Sequence, residues 1–198
     1  MKIRTPFSTV FFLMVWLTFA HHSTPGQTED LGPPPPLIYK APDKSSLKTY
    51  TSDDKTFEVV FSGNPAVKNL EPNGFKVLSL QTNQNGSHSS VVVYSYNVIM
   101  DQNKASTYGV IRQNILKSPK TTIESELDLK NGEVDGREFN VLSDYVYKRI
   151  RVFAKDKRVY VVSCDVTNWH ILNQWYKEKV ADFKAESERF LNSFKIRK

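Results

Sequence analysis

The sequence predicts an α+β domain in which a mostly antiparallel sheet carries flanking helices. Three observations predict it. Strand-like runs rich in Val, Tyr, Ile and Phe recur from residue 47 to residue 166. Most are joined by turn sequences such as Asn85-Gly86, Asn131-Gly132 and Lys155-Asp156-Lys157, too short for a parallel crossover. The hydrophobic period turns helical before Pro119 and near the C-terminus.

In chain order, Leu47–Thr51 and Thr56–Phe61 read as strands around the turn Ser52-Asp53-Asp54-Lys55, and Ser62-Gly63-Asn64-Pro65 ends the second. Gly74–Gln81 and Ser90–Ile99 form a hairpin about Asn85-Gly86. Ala105–Lys117 is helical, with Tyr108, Ile111, Ile115 and Leu116 at helical spacing and Pro119 just beyond. Thr121–Leu129 alternates, placing Ile123, Ser125, Leu127 and Leu129 on one face and Glu124, Glu126 and Asp128 on the other. Gly136–Leu142, Tyr145–Ala154 and Arg158–Val166 complete the strands. A helix from about His170 to Phe194 buries Val180, Phe183, Phe190, Leu191 and Phe194. The expected total is seven or eight strands and two or three helices.

The first 20 residues read as an export signal. Lys2 and Arg4 precede an apolar run from Phe7 to Ala20, and Thr18-Phe19-Ala20 approximates a small-x-small cleavage site. That run is shorter than the ~20 residues of a spanning helix, so the expected location is secreted or periplasmic. Residues 21–46 read as a linker, stiffened by the run Pro33–Pro36, and residues 47–198 as one domain. Asn85-Gly86-Ser87 is a glycosylation sequon, relevant only in a eukaryotic secretory route.

Losing residues 1–20 removes Lys2 and Arg4 and no acid, lowering the formal charge from +6 to +4. That is mildly basic and does not point to nucleic acid. Cys164, the single cysteine, excludes an intramolecular disulfide and sits in a strand as a core thiol. There is no Gly-rich phosphate loop and no Gly-x-Ser-x-Gly elbow. His21 and His22 sit by the cleavage site, His88 falls in a hairpin turn, and no histidine pair has the i, i+4 spacing common in zinc sites. Neither a metal nor a cofactor is expected.

Two segments resemble a known family. Tyr50-Thr51-Ser52-Asp53-Asp54-Lys55-Thr56-Phe57-Glu58-Val59-Val60-Phe61-Ser62-Gly63-Asn64-Pro65 is similar to the opening of PsbP/Mog1-like domains, a polar turn, Phe-x-x-x-Phe, then Pro. Arg158-Val159-Tyr160-Val161-Val162-Ser163 with Arg189-Phe190-Leu191-Asn192-Ser193-Phe194 is similar to their closing strand and last helix. The resemblance spans roughly residues 47–196. It implies an α/β/α sandwich and a non-catalytic domain that binds or helps assemble a larger complex. Ala66 stands where an aromatic often follows the proline in PsbP proteins, and no family metal ligand maps onto the chain.

The candidate partner-binding surface is basic. Residues 145–198 hold 13 Lys or Arg against 6 Asp or Glu. Arg149 and Arg151 share a strand face. Lys155, Lys157 and Arg158 form a charged turn, with Trp169 and His170 just past the next strand. Arg and aromatic side chains together suit a protein interface. The expected function is an exported, non-catalytic binding or assembly domain acting on an envelope or secreted protein. Two alternatives remain: a hydrolase or transferase built from His88, His170 and scattered carboxylates meeting in one cleft, and a protein held at a membrane surface by its N-terminus and basic stripe.

Overall fold

The computed structural model describes residues 42–84, 86–100, 103–143, 146–167, 169 and 177–197. The expected signal and most of the linker, Asn85 of the sequon and His170 lie outside the described residues. Among the described residues, two antiparallel sheets and two α-helices form an α+β fold. The small sheet has the order β1-β2-β10 (Leu47–Thr51, Phe57–Ser62, Lys195–Ile196). The large sheet contains β3 (Ala66–Leu70), β4 (Lys76–Gln84), β5 (Ser87–Ser95), β6 (Thr122–Asn131), β7 (Val134–Leu142), β8 (Val146–Lys155) and β9 (Arg158–Thr167). Its order is β3-β4-β5-β9-β8-β7-β6. The helices are α1 (Lys104–Leu116) and α2 (Lys177–Ser193).

The turn chemistry does what its residues dictate. Gly86 adopts φ +81° in the two-residue loop that pairs Gln84 with Ser87. Asp156 takes φ 52° at the β8–β9 turn, a conformation Asp tolerates. Asp43–Ser46, expected in the linker, instead form a capped 3-10 turn, and Gly63 N donates to the Ser46 carbonyl at 2.7 Å.

A helix lies on each face of the large sheet. Tyr108, Ile111 and Ile115 of α1 pack on Val92, Phe139, Ile150 and Val152. Leu116, expected in that stripe, is 42% exposed because it falls off the side that meets the sheet. On the other face, Phe183, Phe190 and Leu191 of α2 join Phe57, Val59 and Phe61 of the small sheet over Val91, Phe153, Tyr160 and Val162. Burying each such Phe contributes roughly 1.5–3 kcal/mol. Phe194 lies 5.6 Å from Phe57, 5.7 Å from Tyr160 and 5.8 Å from Phe153, so one ring locks the two sheets together. Gly136 has a packing role: a Cβ there would lie 2.4 Å from the Phe153 ring.

Four expectations need correction. β3 and β10 were not anticipated: β3 pairs with β4 at the edge of the large sheet, and β10 pairs with β2 in the small one. β5 ends at Ser95, so Val98 and Ile99 belong to a loop. His88 lies within β5, not in the hairpin turn. A register shift in β6 between Ile123 and Ser125 reverses the alternation. Ile123, Glu126 and Asp128 therefore face α1, while Ser125, Leu127 and Leu129 face the other way, and Leu127 is 56% exposed.

Candidate docking surface

Arg149 and Arg151 do share a face of β8, between Tyr147 and Phe153, but that face is roofed by α2. Each places its guanidinium on Glu138 of the neighbouring strand, Arg149 Nη2 at 2.6 Å and Arg151 Nε at 2.6 Å. From above, Glu188 of α2 accepts from Arg149 at 2.6 Å and from Arg151 at 3.1 Å, and Asn192 accepts from Arg151 at 2.6 Å. Their side chains are 13% and 11% exposed, and that of Glu138 is 6%. Burial alone would lower the Arg149 pKa, but the carboxylates of Glu138 and Glu188 hold it above its usual value. Glu188 is held correspondingly low, chiefly by Arg149, against its own burial. Ser187, fully buried on the inward stripe of α2, leaves room for the Arg149 head and accepts from it at 3.3 Å. These arginines fasten the helix to the sheet and are not an open basic stripe.

Trp169 is likewise internal. It stacks on Tyr147 at 4.4 Å and meets Phe183 edge-on at 6.2 Å.

The remaining three basic residues stay together at one end of the domain. Arg158 pairs with Asp54 at 2.6 Å and donates to Thr56 Oγ1 at 2.5 Å. Burial would raise the Asp54 pKa, but hydrogen bonds from Thr56, Ser52 and Arg158 bring it down to about 2. Lys155 Nζ donates to the Arg197 carbonyl at 3.0 Å, and Lys157 is exposed at the tip. The 96–100 loop rests on this turn. Tyr96 N donates to the Lys157 carbonyl at 2.8 Å and Met100 N to that of Asp156 at 2.5 Å. Tyr96 packs on Phe75 at 5.9 Å and Met100 is buried, leaving Val98 and Ile99 projecting, 43% and 50% exposed. Lys76 is exposed opposite Ser95 at the same end.

A cluster that the sequence did not disclose lies on the α1 face. Asp165 of β9 sits between His88 Nδ1 of β5, at 3.2 Å, and Lys148 Nζ of β8, at 3.5 Å. Burial would raise the Asp165 pKa; Lys148 and His88 hold it below the usual carboxylate value. Beside them the hydroxyls of Ser90 and Ser163 lie 2.9 Å apart. These contacts tie β5, β9 and β8 together within the sheet. The carboxylates of β6 are elsewhere. β5 and β6 are four strand spacings apart, about 19 Å, and Arg137 holds Glu126 at 2.8 Å and Asp128 at 2.9 Å. His88 and those acids therefore share no cleft. Burial pushes the Cys164 thiol up to about 12.

A shallow groove between the small sheet and the end of α2 is lined by Glu58, Val60, Arg189 and Asn192. Among the described residues, no group of three or more His, Cys, Asp or Glu is placed to hold a metal ion. No helix among them is long and apolar enough to cross a membrane.

No known family matches the chain, and no curated protein does. Cyanobacterial PsbP from Synechocystis is similar at a TM-score of 0.49 and 9% identity, over 78% of this chain and 95% of that one. The likeness to PsbP is one of fold. A Bacteroides thetaiotaomicron crystal structure matches at TM-score 0.37 and 12% identity, over 77% of this chain and 49% of that one. A Pseudomonas aeruginosa protein of unknown function matches at 0.36 and 9%, over 68% and 92%.

Proposed function

We propose that this is a non-catalytic binding domain, exported by its N-terminal segment, that docks through its basic end onto a negatively charged partner surface. One observation carries the reading. Among the described residues, the buried charged groups are engaged with one another inside the fold, whereas Lys76 and Lys157 stand exposed at the same end of the domain as two projecting aliphatic side chains. An engaged His88–Asp165–Lys148 trio and a buried thiol of raised pKa lack the accessible nucleophile and base that acyl or group transfer requires. Surface lysines around an apolar tip give attraction that depends on salt.

The test is cross-linking in intact cells followed by mass spectrometry. The native chain should give a dominant cross-linked species that weakens in high salt and disappears when Lys155 and Lys157 are changed to Glu. An unchanged cross-linking pattern in that variant would refute the assignment of this surface.

A further inference from the structure

We propose that the end formed by the 96–100 loop and the β8–β9 turn binds an anionic lipid bilayer, with Val98 and Ile99 entering the headgroup layer. The inference rests on the docking reading and names the partner of that same surface. The exposure of the two aliphatics is built into the fold. The loop is tied to the β8–β9 turn at Tyr96 and Met100, and the Met100 side chain is 1% exposed. A loop anchored at both ends cannot fold its tip inward, so Val98 and Ile99 stay out. The same end carries Lys157, exposed at the turn's tip, and Lys76 and Lys155, whose strand register sends them toward the α2 side of the sheet, with Asp156 the one acid in the turn and Arg158 already neutralised by Asp54.

The chemistry selects lipid over protein. Protein interfaces centre on Trp, Tyr and Arg and are depleted in lysine. Here the exposed apolar contribution among the described residues is the adjacent pair Val98 and Ile99, with Leu70 opposite Val77 at the same end, too little for the desolvated core of a stable protein complex. A bilayer surface asks for less: a shallow apolar insertion plus lysines whose flexible stems reach anionic headgroups.

The protein provides its own reporter system. Cys164 is its single cysteine and is buried, so a cysteine introduced at the surface takes a thiol-reactive, environment-sensitive dye selectively. The full chain carrying Ile99→Cys is labelled and mixed with vesicles of phosphatidylcholine, or of phosphatidylcholine with phosphatidylglycerol. Leu127→Cys, on a distant edge strand and 56% exposed, is the reference position. It separates local docking from attachment by the apolar N-terminal segment. The label at 99 should shift to the blue and brighten on the anionic vesicles alone, while the label at 127 does not change. Adding Lys157→Glu should weaken the response at least about fivefold, and 1 M salt should suppress it as the screening length falls to ~3 Å.

A label at 99 that ignores anionic vesicles, or responds equally at 127, overturns the lipid assignment. If cross-linking in cells still depends on Lys155 and Lys157 in that case, the docking surface stands and its partner is a protein. If that dependence is also absent, both readings fail.

Discussion

Glu138 should be among the residues on which the fold depends most, because two guanidinium groups converge on its carboxylate beneath α2. In Glu138→Ala, Arg149 and Arg151 remain largely buried with Glu188 as their one shared acid, itself 46% exposed. Breaking a buried pair by removing one partner costs about 3–5 kcal/mol. Glu188 keeps part of the compensation, so the loss should lie near 3 kcal/mol. That is a large fraction of the ~5–15 kcal/mol that holds a typical domain together. Glu188→Ala, at the solvent side of the cluster, should cost only about 1 kcal/mol. The triple change Glu138→Leu, Arg149→Met, Arg151→Met removes the three buried charges together, leaves only the half-exposed Glu188, and should recover most of the loss, since apolar replacement of a buried ionic cluster is often neutral or stabilising. Urea unfolding followed by circular dichroism measures all three, and the denaturant slope should stay constant. If Glu138→Ala costs less than about 0.5 kcal/mol at constant slope, the arginines are not fastened as described.

Two further outcomes are expected. Gly136→Ala forces a methyl group against the Phe153 ring and within 2.8 Å of the Val152 carbonyl, and should destabilise the protein by about 1–3 kcal/mol in the same assay, more than an Ala substitution at exposed Gly109. Asp54, Asp165 and Glu188 all have folded-state pKa values below their ordinary ones. Their stabilisation is therefore present above the unfolded carboxylate range near ~4 and is lost as pH falls through the folded values, about 2 for Asp54. Unfolding free energy should decline from pH ~4.5 to ~2.5, and less steeply in Asp165→Asn. A flat or rising profile would contradict the ion pairs.

The readable parts of the fold were those where local chemistry decides. Asn85-Gly86 and Lys155-Asp156-Lys157 announce their turns, and Phe183, Phe190 and Leu191 keep a helical stripe that the structure buries. β3 was not readable because all five of its residues are exposed, so no alternation marks it. β10 is two residues long and exists only because β2 offers an edge. The bulge in β6 leaves no signature in Ile123-Glu124-Ser125, yet it sends every later side chain to the opposite face. The sequence did place Arg149 and Arg151 on one face. That α2 would cover them depends on Ser187, Glu188 and Asn192, up to 41 residues away, and nothing local in α2 marks which strand it meets. His88 and Asp165 meet across 77 residues, through the β5–β9 pairing alone. Val98 and Ile99 were read as the end of a strand, because an apolar pair carries no mark that distinguishes core from tip.

The most direct test of the docking reading is the intact-cell cross-linking comparison of the native chain with Lys155→Glu/Lys157→Glu. The variant should fold to native stability, since both side chains lie at the surface turn, and should lose the dominant cross-linked species. A variant that is equally stable and retains that species would contradict docking through the basic end.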